Sequence, residues 1–267
     1  SSILTAAGYK TGLFTSPYIE TFNERMQIDG ANITNDELAA ITGYVKGFAD
    51  TMADPPTEFE LINAVGFEYF RRNRCDVVVL EAGLGGRLDS TNEIPCPVLS
   101  VVTGIDYDHM AILGDTLPKI AAEKAGIIKP GTTVLFGEGA SEAEAVIRET
   151  TDRICGAQAY HRTDYSRIAL AETSLDGTAF TFAPFGKLRL SMCGMYQLRN
   201  AANVLTAVEL LRDKGYKIPD DAVRDGLASA KWKARFEVLS RDPIIVYDGA
   251  HNPQGIAAAE ANIRQYL

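Results

Sequence analysis

Apolar residues recur along this chain in two alternating rhythms. Short, largely β-branched runs near 9–15, 76–82, 98–105 and 133–137 read as strands. Longer stretches with apolar positions three and four apart, near 35–53, 58–73, 116–127 and 141–155, read as helices. This alternation predicts an α/β fold with a mostly parallel sheet and helices on both faces. From about 159 to 193 the rhythm shortens to alternating runs such as Phe180-Thr181-Phe182 and Leu188-Arg189-Leu190, with turn signals at Asp176-Gly177 and Phe185-Gly186, so a small antiparallel patch is expected there. Helical patterns resume near 198–214 and 220–229. A buried strand is expected at 244–247, after Pro243, and a last helix at 254–267.

Chemistry gathers where these strands end. The run Asp76-Val77-Val78-Val79-Leu80 reads as a buried parallel strand, and Glu81-Ala82-Gly83-Leu84-Gly85-Gly86-Arg87-Leu88-Asp89-Ser90-Thr91-Asn92 follows directly. In open α/β sheets ligands collect beyond the carboxyl ends of strands. A carboxylate there needs a partner; a divalent cation suits Glu81, the glycines admit close approach of backbone, and Arg87 can meet an anion. A plain βα turn with a capping acid is the competing reading. Ser16, after the first strand, is placed like a hydroxyl metal ligand or like an ordinary turn residue. His109 follows Asp106-Tyr107-Asp108 beyond the third strand, as an oriented metal-binding imidazole or a loop residue. Lys124 lies among small residues near a helix end. Gln197 and Asn200, three apart at a helix start, share one face and can read a nucleobase edge or cap the helix. Asp248 and His251 again set an acid and an imidazole at a strand end, with Arg235 thirteen residues earlier.

Composition narrows the partners. The chain has 267 residues, 46% of them hydrophobic, enough for two domains or one large one, and a net charge of −9. Such a surface disfavours nucleic acid and anionic membranes, and no apolar run reaches the length of a bilayer span. Cys75, Cys96, Cys155 and Cys193 form no Cys-x-x-Cys pair, as expected of reduced thiols in a cytoplasmic protein. Residues 1–8 read as the last turns of a helix closed by Gly8, and the final helical pattern stops without a cap, so the chain reads as a piece of a longer one.

Taken together, the strings Thr15-Ser16-Pro17-Tyr18, Asn23-Glu24-Arg25-Met26, Thr57-Glu58-Phe59-Glu60, Leu80 to Asn92, Asp108-His109, Glu123 to Gly131, Gln197 to Asn200, Ala234-Arg235-Phe236-Glu237 and Asp248 to Pro253 resemble the folylpolyglutamate synthase/dihydrofolate synthase family of the Mur-ligase superfamily. The resemblance implies a P-loop-type ATPase domain at 1–233 and the start of a Rossmann-like glutamate-ligase domain at 234–267. It also implies an ATP-dependent ligase that joins a pteroate or folate carboxylate to L-glutamate through an acyl phosphate.

The resemblance further implies residue roles. Ser16, Glu81 and His109 match metal-ligand positions for two Mg²⁺ ions. Lys124 matches a lysine that becomes carbamylated. Asn200, Arg235, Asp248 and His251 match ATP-binding positions, and Arg25 lies in the segment facing the pterin-containing substrate. Lys124, His109 and Glu81 are thus the expected catalytic set, acting on ATP, L-glutamate and dihydropteroate or folate in a monomer. The family's Gly-Lys-Gly-Ser/Thr loop is expected before Ser1 and most of the glutamate-ligase domain after Leu267, so negligible ligation is expected of this stretch by itself. A UDP-muramyl amino-acid ligase of the same superfamily and a non-catalytic nucleotide-binding module are the alternatives; the strings at 15–18 and 80–92 favour the folate branch.

Overall fold

The computed structural model describes residues 1–251 and 253–267; nothing is described of the Pro253 and Gln254 side chains. The chain divides into two compact units, Ser1–Pro95 and Cys96–Leu267. The domain division expected at 233/234 falls inside the second unit.

In the first unit a short helix α1 (Ser2–Ala6) leads to β1 (Thr11–Phe14), β2 (Met26–Ile28) and β3 (Ala31–Asn32), then helices α2 (Asn35–Ala49) and α3 (Glu58–Arg72), then β4 (Val77–Leu80). The sheet order is β3-β2-β1-β4, with β1 parallel to β4 and the others antiparallel. The β2–β3 hairpin was not anticipated, although Asp29-Gly30 announces it. Both residues have positive φ, 52° and 81°, as a tight hairpin turn requires. Thr34 with Glu37, and Thr57 with Glu60, form capping boxes that start α2 and α3. The string Thr57-Glu58-Phe59-Glu60 is therefore a helix-start signal.

Phe14, Met26, Ile33, Ile41, Val65 and Phe70 make the core beneath this sheet. β4 ends the sheet order, and Val78 is 36% exposed, so the strand is parallel as expected but not buried.

The second unit begins with a parallel sheet, order β5-β6-β7, made of β5 (Leu99–Gly104), β6 (Thr133–Glu138) and β7 (Tyr160–Arg162). Between β5 and β6 lie the one-turn helix α4 (Met110–Leu113) and α5 (Leu117–Ala125); α6 (Ser141–Cys155) connects β6 to β7. Val134, Leu135 and Phe136 of β6 are fully buried, as a central parallel strand should be. Residues 160–162 join this parallel sheet, so the antiparallel patch is narrower than 159–193. It comprises β8 (Ile168–Ser174), β9 (Gly177–Phe182) and β10 (Gly186–Leu190), turning at the two predicted places.

Next come α7 (Met195–Asp213), α8 (Asp220–Ser229), the ribbon β11 (Glu237–Arg241)–β12 (Ile244–Tyr247), and α9 (Pro253–Tyr266). Ile244 and Ile245 are each 48% exposed, so the expected buried strand is one edge of a two-stranded antiparallel ribbon. Among the described residues no helix is long and apolar enough to cross a membrane.

One contact fixes how α3 lies on β1. A Cβ built on Gly66, inside α3, would come within 2.9 Å of the Phe14 ring, and one on Gly12 within 2.7 Å of the Phe70 ring. Glycine inside a helix costs about 1 kcal/mol relative to alanine, so its place here follows from packing. We expect Gly66→Val to lower stability by about 1–3 kcal/mol through overpacking against Phe14, read as a shift in the urea midpoint with unchanged slope.

Candidate functional site

In the first unit the strand ends bring Ser16 and Glu81 together. The parallel register pairs Phe14 with Leu80, and the ladder runs one step further, Glu81 N–H donating to the Phe14 carbonyl at 3.0 Å. The Glu81 side chain then accepts the Ser16 backbone N–H on Oε2 at 3.0 Å. Two residues 65 apart in sequence thus meet at one sheet edge, Glu81 exposed and Ser16 half-buried.

The glycine-rich loop after Glu81 is held by an acid to which the sequence reading gave no role. Asp89 is only 9% exposed. Its Oδ2 accepts from Leu84 N at 2.8 Å; its Oδ1 accepts from Thr91 N at 3.0 Å and Thr91 Oγ1 at 2.5 Å. An aspartate two residues before a threonine is an Asx-turn signal, and it was legible in the string. Asn63 of α3 donates to the Ser90 hydroxyl and ties the loop down. Gly83 has no room for a side chain: a Cβ would fall 2.5 Å from the Phe59 ring.

Arg25 belongs to the same strand end. Its carbonyl accepts from Thr15 N at 3.0 Å, and its guanidinium carbon lies 5.3 Å from the Tyr18 ring centroid and 5.7 Å from that of Phe22. Its Nε and Nη1 are buried and have no hydrogen-bond partner among the described residues. Buried guanidinium donors left in that state cost free energy and fit an incoming planar anion.

In the second unit the ends of β5 and β6 open on a cavity of about 620 Å³ lined by Asp106, Asp108, Lys124, Glu138, Tyr165 and Arg199, among others. Burial lowers the Lys124 pKa from its ordinary value, against the opposing pull of Asp108. His109 adopts a left-handed backbone, φ 47°, at the start of α4. Its N–H donates to Asp108 Oδ1 at 2.8 Å, and its Nε2 lies 3.9 Å from the same oxygen. Arg199 pairs with Glu138 and lies 4.5 Å over the Tyr165 ring. These three lining residues were not singled out from sequence, yet Glu138 ends a strand just as Glu81 follows one.

On α7, Asn200 donates to Gln197 Oε1 at 3.0 Å, which bears out the shared helix face. Asp248 directs both oxygens inward: Oδ2 accepts from Phe236 N and Oδ1 from Ala250 N, each at 2.8 Å. Gly249 N donates to the Ala234 carbonyl at 2.8 Å, and Arg235 Nη1 lies 3.4 Å from where a Gly249 Cβ would stand. His251 Nδ1 is 2.9 Å from the Gly249 carbonyl. A carbonyl only accepts, so in this contact Nδ1 is the donor. Asp248, Arg235 and His251 are therefore one local cluster; Asn252 of that string lies outside the described residues.

Among the described residues no group of three or more His, Cys, Asp or Glu side chains is arranged to hold a metal ion. Ser16, Glu81 and Arg25 lie in the first unit, and His109, Lys124, Asn200, Arg235, Asp248 and His251 in the second. The donor chemistry of Ser16 and Glu81, a hydroxyl beside a carboxylate, is the hard oxygen type that Mg²⁺ takes.

No family model matches the chain. The dihydrofolate synthase/folylpolyglutamate synthase of Bacillus subtilis (strain 168) is 40% identical over 275 residues, covering 99% of this chain and 63% of that protein. A point mutant of L. casei FPGS matches with a TM-score of 0.85 at 36% identity, over 99% of this chain and 67% of that structure. An FPGS–AMPPCP–folate complex matches with a TM-score of 0.87 at 36% identity, over 99% and 66%. The chain thus spans a little under two thirds of the length of the curated relative.

Two outcomes test this geometry. Asp89→Ala should leave Leu84 N and Thr91 N without their acceptor and cost about 1.5–3 kcal/mol, since hydrogen bonds to charged groups carry that much; amide exchange at Leu84 and Thr91 reads it. Lys124→Met, in CO₂-free buffer, should raise stability at pH 7. With the folded pKa below the unfolded one, the unfolded chain binds the extra proton, so wild-type stability climbs as pH rises from the lowered pKa toward 10.5. The gap between variant and wild type should close over that window in urea titrations.

Proposed function

The chain belongs to the folylpolyglutamate synthase/dihydrofolate synthase family, and on that premise we propose that the whole protein is an ATP-dependent ligase joining L-glutamate to a pteroate or folate carboxylate. The observation that carries this reading is the Ser16–Glu81 contact at the carboxyl ends of β1 and β4, where an α/β sheet holds its ligands. AMPPCP, which accompanies folate in one similar structure, is an analogue of ATP that resists hydrolysis, and this supports a site for both substrates.

The reaction assigned here has two steps. A carboxylate oxygen of the pterin substrate attacks the γ-phosphorus of ATP, and the bond to the ADP oxygen breaks, leaving an acyl phosphate. The glutamate α-amine then attacks the acyl carbon, phosphate leaves with its bonding pair, and the amine gives up a proton. Such chemistry depends on positioning and charge neutralisation. When bound, two Mg²⁺ ions supply the charge neutralisation. We assign metal-binding roles to Ser16, Glu81 and His109.

Arg25 is assigned to the pterin-containing substrate; its unpaired Nε and Nη1 suit a carboxylate of that molecule. Asn200, with Gln197 beside it, is assigned to the nucleotide, and so are Arg235, Asp248 and His251. Residues 234–267 are assigned to the start of the glutamate-ligase domain.

Lys124 is assigned as a carbamate. Burial lowers its pKa, which favours the neutral amine. That nitrogen adds CO₂ and loses a proton, turning a cation into an anion suited to metal-rich surroundings.

Assay of the complete protein with Mg-ATP, L-glutamate and either dihydropteroate or tetrahydrofolate tests the reading; absence of ADP release and of amide product with both acceptors sinks it. Glu81→Gln and His109→Ala should each reduce turnover on the order of a hundredfold with little change in folding. Lys124→Ala should be folded and nearly inactive, with acetate or formate restoring part of the rate. Lys124→Glu should keep some function and Lys124→Arg none. An active Lys124→Arg enzyme, with no carbamate mass on the wild-type lysine, would exclude the carbamate.

A further inference from the structure

Helix α7, which carries Gln197 and Asn200, begins on Gly194, a residue with no side chain to cap it. Its first amides are satisfied from α9 instead. Gly194 N–H donates to the Tyr266 hydroxyl at 2.9 Å, and Met195 N–H donates to Asn262 Oδ1 at 3.2 Å. Asn262 is 1% exposed. Gly194 has φ 110°, and a Cβ there would stand 3.0 Å from Asn262 Nδ2, so the position suits glycine both by conformation and by the space the asparagine needs.

The Tyr266 hydroxyl also lies 2.6 Å from Thr173 Oγ1, which lies 2.9 Å from Thr178 Oγ1. In each of these two hydroxyl contacts either oxygen can donate, so the three hydroxyls link in one hydrogen-bonded row. The ring of Tyr266 packs 5.6 Å from that of Phe236, whose N–H is held by Asp248. One helix therefore ties the start of α7 to the antiparallel sheet and to the loop of Asp248.

We propose that Asn262 and Tyr266 are positioning residues for the nucleotide: by capping α7 from α9 they set the place of Gln197 and Asn200 and couple it to the Arg235–His251 cluster. This rests on the reading of Asn200 as a nucleotide contact. A cap contributed by a side chain from a distant helix makes the orientation of the first turn depend on α9, where a local Ser or Asp cap would not.

The test uses the complete protein and Mg-AMPPCP as probe. Asn262→Leu and Tyr266→Phe should weaken AMPPCP binding about five- to tenfold and raise KM for ATP in step, with KM for glutamate and for the pterin substrate within twofold of wild type. Amide exchange at Gly194 and Met195 should speed up in the same variants. Asn262→Asp should rescue both readouts, because it keeps the acceptor, removes the unpaired Nδ2 donor, and adds the charge that a helix N-terminus favours. Wild-type AMPPCP affinity in variants whose exchange shows the cap broken would overturn the inference alone; so would an equal rise in all three KM values. A wild-type protein that fails to bind AMPPCP would overturn the functional reading and this inference with it.

Discussion

The register of two short parallel strands is the constraint on which the first unit's site depends. Side chains alternate between faces with a period of two, so a slip of one residue between β1 and β4 would carry Glu81 away from Ser16 and turn Phe14 out of the core. The slip is opposed by shape. Phe14 presses on Gly66, and Phe70 lies over Gly12. The ladder bond from Glu81 to Phe14, the bond from Ser16 to Glu81, and the seating of Gly83 under Phe59 all presuppose that alignment.

The acids of this chain divide their labour by where their oxygens point. Asp89 directs both oxygens at amides and a hydroxyl of its own loop, and Asp248 ties its own turn to Phe236 twelve residues earlier, so each holds backbone in place. Asp106, Asp108 and Glu138 instead line a cavity at strand ends. A chain of net charge −9 carries little long-range attraction for phosphate, and local cations must supply it. Arg25 lies beside the edge-packed pair Tyr18 and Phe22, and its buried Nε and Nη1 have no partner among the described residues. Contact with the rings favours the cation there.

Much of this was legible in the sequence because strand ends and helix starts leave local marks. The β1, β4, β5 and β6 runs and the long helices came from periodicity alone, and the pairing of Gln197 with Asn200 from a spacing of three. What escaped depends on contacts made at a distance. β2 and β3 are too short for periodicity, and only Asp29-Gly30 betrays them. β7 looks like the alternating strands that follow it, and its parallel partner, β6, is chosen by α6. Burial was overestimated for β4 and β12, since an apolar run is the same string at the edge of a sheet as at its centre. The cap on α7 was invisible, because Asn262 lies 67 residues from the amide it accepts.

Lys124 shows how placement can work against a side chain's ordinary charge. Burial is the largest influence on its amine and outweighs the attraction of Asp108, so the pKa falls. A lysine kept only for an ion pair with Asp108 would be expected to shift the other way, since a nearby opposite charge favours the charged form. Desolvation thus weakens the protonated state on which simple pairing relies and favours the neutral amine, the form that the proposed carbamate requires. The stability lost while the amine is protonated and the reactivity proposed for it have one origin: a side chain placed where its ordinary charge is poorly solvated.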